Sequence, residues 1–123
     1  MFGVGEWVSV KAYGFIDHFG LATGDGRIIS NSMRHGGVVI QSEAEFSSGK
    51  PITRYGSPDP HRGQVAVMLA IGRIGEPWSA FSDNCEHFVR WAYGMKAESP
   101  QAAALSALSV LVGGILFLVR VGR

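Results

Sequence analysis

The sequence has one cysteine, few charged residues and no run of charges of one sign. With Cys85 alone no internal disulfide can form, which excludes a small secreted domain held together by disulfides. Lys and Arg number 11 against 10 acidic residues and form no basic stripe, so we expect no nucleic-acid partner. The cysteine and histidines lack the spacing of metal ligands, so we expect no metal and no cofactor. Residues 1–10 lack a basic region followed by an apolar run, so we expect no cleaved signal peptide.

Charge is absent from residues 102–119, and Arg120 follows. At 1.5 Å per residue, these 18 residues span roughly 27 Å as a helix, close to the thickness of a bilayer core. We predict a single C-terminal transmembrane helix here, with the preceding domain on the cytoplasmic side. The alternatives are a buried core helix, or a helix that associates with a second copy through Ser109 and Gly113.

Residues 1–98 have the length and pattern of one small α+β domain with an antiparallel sheet. Gly24-Asp25-Gly26, between two apolar segments, is typical of a β-hairpin turn. Periodicity and capping patterns predict strands at 7–11, 15–23, 27–31, 38–40 and 51–55, an extended segment at 78–81, and helices at 42–48, 64–74 and 83–93.

Cys85 lies at the predicted start of the last helix. Asp83 and Glu86 have the spacing of a capping box, which makes Asp83 the N-cap and Cys85 the second helical residue. The helix dipole is expected to lower the pKa of a thiol there. First-turn backbone N–H groups, including that of Cys85, are candidates to bind a developing oxyanion. The alternative is that Cys85 is a small buried hydrophobic residue.

A reactive thiol needs a base, and His18 is the best placed of the four histidines. His18 lies in the middle of a predicted strand, on the same face as Gly20 and Ala22. These residues are small, so a helix end is expected to approach the strand closely there. His87 lies two residues from the thiol on the same helix, and His61 lies in a surface turn. His35, in a glycine-rich loop, is the alternative base.

These residues resemble a known family. Residues 84–89, NCEHFV, resemble the cysteine motif of the lecithin:retinol acyltransferase family, including its phospholipase/acyltransferase branch. Residues 17–21, followed by 24–29, are similar to the histidine motif of that family, and 44–51 resemble its middle segment. The resemblance spans residues 5–101. It implies a circularly permuted papain-like (NlpC-type) fold with a C-terminal membrane anchor.

The resemblance also implies a chemistry. It makes Cys85 the nucleophile and His18 the general base of an enzyme that forms an acyl-cysteine intermediate. The acyl group, mostly from membrane phospholipids, then passes to water or to an acceptor amine or alcohol. Two alternatives remain: a cysteine peptidase or amidase, and a non-catalytic, membrane-anchored interaction module.

The residue that orients His18 is open between Ser30 and Asn31. Familiar family members have a second histidine twelve residues after the first, where this chain has Ser30. A polar group normally accepts the Nδ1–H of a catalytic imidazole. A three-residue turn places Ser30 opposite Gly20, on the face of His18, whereas a two-residue turn places Asn31 there. The resemblance favours Ser30, and the stronger acceptor chemistry favours Asn31.

Overall fold

The computed structural model describes residues 1–12, 14, 16–79 and 84–95. Within them the chain forms one five-stranded antiparallel sheet with helices on both faces, which confirms the predicted α+β class. The strand order is β4-β3-β2-β1-β5. The strands are β1 (Trp7–Ala12), β2 (Ile16–Ala22), β3 (Arg27–Ser32), β4 (Gly37–Ser42) and β5 (Thr53–Gly56). The helices are α1 (Glu43–Ser47), α2 (Gly63–Ile71) and α3 (Cys85–Ala92), and a 3₁₀ turn covers Pro60–Arg62.

Strands β2 and β3 form a hairpin around the three-residue turn Gly24–Gly26. Both glycines of the turn have a φ of 91°, a conformation that a residue with a side chain adopts only with strain. The ladder between the strands consists of two pairs, Leu21 with Ile29 and Ala22 with Ile28. Toward the start of β2 the paired ladder between the two strands ends, and we call this stretch the opening between β2 and β3.

Two apolar clusters lie on opposite faces of the sheet. On the first face, called the α3 face, Phe19 and Leu21 of β2 pack with Phe88 and Val89 of α3. On the other, the α1 face, Phe46 of α1 packs with side chains of β1, β2 and β3: Val8, Val10, Ala22 and Ile28. Because alternate residues of a strand point to opposite faces, His18 belongs to the α1 face.

Helix α1 begins where its sequence predicts. The Ser42 hydroxyl accepts the Glu45 N–H at 3.1 Å, and the Glu45 carboxylate accepts the Ser42 N–H at 2.9 Å. This reciprocal pair is a complete capping box.

Helix α2 and the segment at 78–81 also depart from the prediction. Helix α2 ends at Ile71 instead of residue 74, because the next backbone bonds tighten into turns. Just before the predicted extended segment 78–81, Pro77 forms an isolated bridge with Gly37; of that segment, residues 78 and 79 are among those described.

The predicted transmembrane helix, residues 102–119, lies outside the described residues. Among the helices that are described, none has both the length and the apolar character needed to cross a bilayer. Helix α2 nevertheless exposes large apolar side chains to solvent along one side: Val65, Met68, Leu69 and Ile71.

Candidate functional site

Helix α3 begins at Cys85, with Asn84 as its N-cap. The side-chain oxygen of Asn84 accepts the N–H groups of Glu86 and His87 at 3.0 and 3.1 Å. The ring Nδ1 of His87 accepts the Asn84 N–H at 3.4 Å, which completes a capping box. The predicted Asp83 cap is therefore wrong, because Asn84 supplies the acceptor and His87 takes the part expected of Glu86. Cys85 is the first helical residue.

The thiol of Cys85 lies in the opening between β2 and β3. It donates to the backbone oxygen of Asp17 at 3.7 Å, and the backbone amide of Phe19 also faces the sulfur. In an antiparallel strand, the polar groups of alternate residues point to the same neighbour. Asp17 and Phe19 therefore face the side on which β3 would pair, and the thiol occupies that side where the ladder has ended.

The imidazole of His18 approaches the same stretch of β2 from the α1 face. Its Nε2 lies 3.2 Å from the Ser30 hydroxyl oxygen, and its ring packs against Phe46 with the centroids 5.2 Å apart. The expectation that a helix end would cover Gly20 on this face is wrong. A Cβ at Gly20 would lie 2.5 Å from Ile28 Cγ2 and 3.1 Å from Phe46 Cε2, so the space is filled by the core beneath α1.

The Cys85 thiol and the His18 imidazole thus approach β2 from opposite faces of the sheet. The backbone groups that contact the sulfur belong to Asp17 and Phe19, the two neighbours of His18. Among the described residues, the hydrogen bond of the thiol goes to the strand backbone and not to the imidazole.

Ser30, and not Asn31, lies beside His18. The three-residue turn sets this register, and Asn31 pairs with Val38, whose side chain belongs to the α3 face. Both Ser30 and Asn31 are fully buried. The contact uses Nε2 of His18, where the usual arrangement led us to expect Nδ1.

Burial controls the protonation of both groups. It raises the pKa of the Cys85 thiol to about 11, outweighing the amides of Phe19 and of the helix start, which lower it. Burial, together with the charge of His35, lowers the pKa of the His18 imidazole to about 4. The predicted lowering of the thiol pKa is therefore wrong, because desolvation exceeds the effect of the helix end. At neutral pH, thiol and imidazole are both uncharged.

The Cys85 backbone amide remains the candidate oxyanion donor. The Asn84 side chain accepts the N–H groups of Glu86 and His87. Among the first three residues of α3, Cys85 is therefore the one whose N–H is not bonded to this side chain. This amide also lies close to the sulfur. A carbonyl attacked by the thiol would place its oxygen near that donor.

A cavity of about 650 Å³ opens on the α1 face, and His18 lines it. Val10 and Phe46 contribute apolar surface, and basic side chains from three separate segments contribute charge: Lys11, Arg34 and Lys50. Sequence reasoning missed this cluster, since its members are far apart in the chain and only the folded sheet brings them together. His35, the alternative base from the glycine-rich loop, also lines the cavity.

No group of three or more histidine, cysteine or acidic side chains that could hold a metal occurs among the described residues. Compared with known proteins, the chain matches no protein-family model, and it matches no curated protein.

Proposed function

We propose that the protein is a thiol enzyme that cleaves or transfers acyl groups, those of membrane phospholipids in particular. Cys85 is the nucleophile and His18 the general base. The observation that supports this proposal most strongly is the position of the thiol, at the first residue of α3 and hydrogen-bonded to the backbone of Asp17, the residue before His18. Ser30, which contacts the His18 ring, is the orienting residue.

The reaction starts from an uncharged pair. In this mechanism His18 carries its proton on Nε2 and donates it to the Ser30 hydroxyl 3.2 Å away, so that Nδ1 is unprotonated. The thiol proton moves to Nδ1 as the sulfur bonds to the acyl carbonyl carbon, so no thiolate accumulates beforehand. The carbonyl oxygen becomes an oxyanion and accepts the N–H of Cys85.

Collapse of the tetrahedral intermediate breaks the bond to the leaving alcohol. The alcohol oxygen takes the proton from Nδ1 of His18, and an acyl-cysteine thioester remains. Water, or an acceptor hydroxyl or amine, then gives a proton to His18 and attacks the thioester. The sulfur leaves and recovers its proton from His18, which restores the starting pair.

The proposal extends to the whole chain. Residues 1–98 form a circularly permuted papain-like (NlpC-type) domain, and residues 102–119 anchor it, with the domain on the cytoplasmic side. The order of a strand histidine before a helix-start cysteine supports the permuted fold. The charge-free segment and the exposed apolar side of α2 support a position at the bilayer, where the substrate lies.

Intact-mass spectrometry after incubation with phospholipid tests the chemistry. We expect a mass increase of one acyl chain, mapped to Cys85, and release of the matching lysophospholipid. Cys85→Ala abolishes both, and His18→Ala slows adduct formation by at least two orders of magnitude. A wild-type chain that shows neither adduct nor lysophospholipid would overturn the proposal.

One observation favours a second candidate, the non-catalytic interaction module. The thiol bonds to the strand backbone and burial raises its pKa, as in a cysteine that only packs. In that case Cys85→Ala lowers the stability of the fold and leaves the binding of the chain to membranes unchanged, and wild type itself forms no acyl adduct.

A further inference from the structure

The surroundings of the Cys85 sulfur differ between the two faces of the sheet. On the α1 face lies the imidazole of His18, beside a cavity among whose described lining residues Cys85 does not occur. On the α3 face lies Phe19, whose backbone N–H faces the sulfur and whose ring packs against the apolar cluster of that face. A group bonded to the sulfur therefore has an aromatic neighbour on the α3 face.

Phe19 begins a row of three aromatic rings that crosses the sheet. Its ring meets that of Trp7, in β1, edge to face with the centroids 5.7 Å apart, and its centroid lies 5.8 Å from that of Tyr55, in β5. The Tyr55 hydroxyl lies 3.1 Å from the hydroxyl of Ser9, which is buried, and this hydrogen bond holds the Tyr55 ring against β1. We call Trp7, Phe19 and Tyr55 the aromatic row.

The aromatic row extends beyond the part of the sheet that the helices cover. Helices α2 and α3 pack mainly on β2 and β3, whereas the row continues onto β1 and the edge strand β5. Phe19 and Trp7 are partly buried, and Tyr55 is 53% exposed. A single exposed aromatic residue is ordinary on a protein surface. This one is the outer end of a continuous apolar path that starts at the Cys85 sulfur.

The proposed mechanism separates the two parts of the substrate between the two faces. His18 gives its proton to the leaving alcohol, so that alcohol must come within hydrogen-bonding distance of the imidazole, on the α1 face. The tetrahedral carbon carries the alcohol oxygen and the acyl chain on different bonds, so the chain points away from the alcohol. The opposite direction is that of the α3 face, on which Phe19 lies.

We propose that the aromatic row binds the acyl chain that Cys85 carries, and that it makes the enzyme select medium and long chains over short ones. This inference rests on the proposed function and assigns its acyl specificity to named residues. From β2 to β5 the row crosses two strand spacings, about 10 Å. An extended chain of about eight carbons covers that distance, at about 1.25 Å per carbon along a zigzag of C–C bonds. The rings offer apolar surface to the methylene groups, which gain free energy as they leave water.

The first test compares two substrates that differ only in acyl length. The full chain is assayed on the p-nitrophenyl esters of butyric and octanoic acid, and the ratio of kcat/KM for octanoate to that for butyrate is measured. We expect a ratio of at least about ten in wild type, because octanoate buries more methylene groups. Tyr55→Ala should lower the ratio by about threefold or more and leave kcat/KM for butyrate near wild type. Tyr55→Phe, which keeps the ring, should retain the wild-type ratio within about twofold.

Met33→Ala is the matched control, because Met33 is also a large apolar residue, 45% exposed, but lines the cavity on the α1 face. It should change the ratio by less than about twofold. A lower ratio in Met33→Ala together with a wild-type ratio in Tyr55→Ala would place the acyl chain in that cavity and overturn the proposal. A wild-type chain that turns over both esters equally well would also overturn it, while leaving the proposed function intact.

A second test does not need catalysis. The full chain in detergent is treated with octyl methanethiosulfonate whose terminal methyl is isotope-labelled. The Cys85 sulfur displaces methanesulfinate and forms a disulfide with the octyl thiol group, and the thiol proton passes to the buffer. We expect nuclear Overhauser effects between the terminal methyl and the Tyr55 ring. Contacts of that methyl with Met33 or Phe46 in place of Tyr55 would overturn the proposal. If the Tyr55 contacts appear in a chain that no ester or lipid acylates, the proposed function fails and the aromatic row stands as the surface that binds a chain on Cys85.

Discussion

The protonation of His18 links the candidate site to the stability of the fold. Its imidazole is packed against Phe46 and bonded to Ser30, and burial is the main reason that its pKa falls to about 4 from an ordinary 6.5. Between about pH 6.5 and pH 4, the unfolded chain holds a proton on His18 and the folded chain does not. Folding therefore becomes less favourable as the pH falls through that interval.

We predict that the free energy of unfolding decreases between pH 6.5 and pH 4, with His18 contributing on the order of 3 kcal/mol. The sign follows from proton counts, because the unfolded state binds the extra proton there. His18→Gln should flatten this part of the profile, measured by urea unfolding followed through tryptophan fluorescence. His61→Gln, in an exposed turn, is the control and should keep the wild-type slope. Identical slopes in wild type and His18→Gln would show that His18 is accessible to protons when folded.

Ser30 and Asn31 should differ in what their loss changes. Ser30→Ala removes the partner of His18 Nε2, and we predict a fall in kcat of about tenfold with little change in KM. Asn31→Ala, on the opposite face, should lower the thermal midpoint while kcat stays near wild type. Steady-state kinetics with a melting curve for each variant separate the two effects. Greater sensitivity of kcat to Asn31→Ala would contradict the assigned register in the active protein.

At this scale, residue types and spacing predicted which side chains to consider but not their environment. Cys85 and His18 were selected from sequence, and the structure places them on the two sides of one strand segment. The predicted direction of the shift in the thiol pKa was wrong. A position at a helix start can be inferred from the sequence, whereas desolvation by segments distant in the chain cannot. The choice between Ser30 and Asn31 depended on whether the hairpin turn has two or three residues, and the sequence was compatible with both lengths.

Among the elements, the start of α3 determines where the thiol points. Asn84→Ala removes the acceptor of two backbone N–H groups, so we predict a loss of about 1 kcal/mol in unfolding free energy. It should also change the rate of Cys85 alkylation by iodoacetamide, because the first helical turn no longer holds the sulfur in the opening of the sheet. Asn84→Ser, which keeps an acceptor, should lie close to wild type in both measurements. Unchanged alkylation in a destabilised Asn84→Ala chain would mean that β2, and not the cap, positions the thiol.

Strand and helix positions were predicted well where local chemistry is decisive, and less well where packing is. The capping box at Ser42 and Glu45 and the turn at Gly24–Gly26 are local, and both features form in the structure. The face covered by α3 is not local. Small residues near His18 suggested a docking surface for that helix, yet Phe46 of α1 fills this space.

For the whole molecule, the charge-free segment 102–119 and the exposed side of α2 bear on the same question. We predict that a chain ending near Pro100 folds and keeps Cys85 reactive, but loses most of its action on bilayer lipid while retaining action on dispersed short-chain esters. The reason is that a membrane anchor raises the local concentration of the site at the substrate without completing the core. Activity on vesicles and on soluble esters, with a melting curve for both chain lengths, measures this.

If the shortened chain aggregates, or melts far below the full chain, residues 102–119 are part of the core and the anchor proposal fails. The exposed apolar residues of α2, Met68 foremost at 69% exposure, would then be the natural surface for that segment to cover. Met68→Gln in the shortened chain tests this explanation, because a polar side chain there should reduce aggregation that is caused by the exposed apolar side of α2.

The opening between β2 and β3 leaves the backbone N–H of Phe19 facing the Cys85 sulfur. The Ala22 N–H, at the other end of β2, points away from β3 and donates to Glu6 O at 2.9 Å, whereas the Phe19 N–H points toward the β3 side. Hydrogen–deuterium exchange at Phe19 should therefore change when the sulfur becomes a thioester, while Ala22 serves as an internal reference. The lifetime of the acyl-cysteine could then be measured from the exchange at Phe19 relative to that at Ala22, with no chromophore on the lipid.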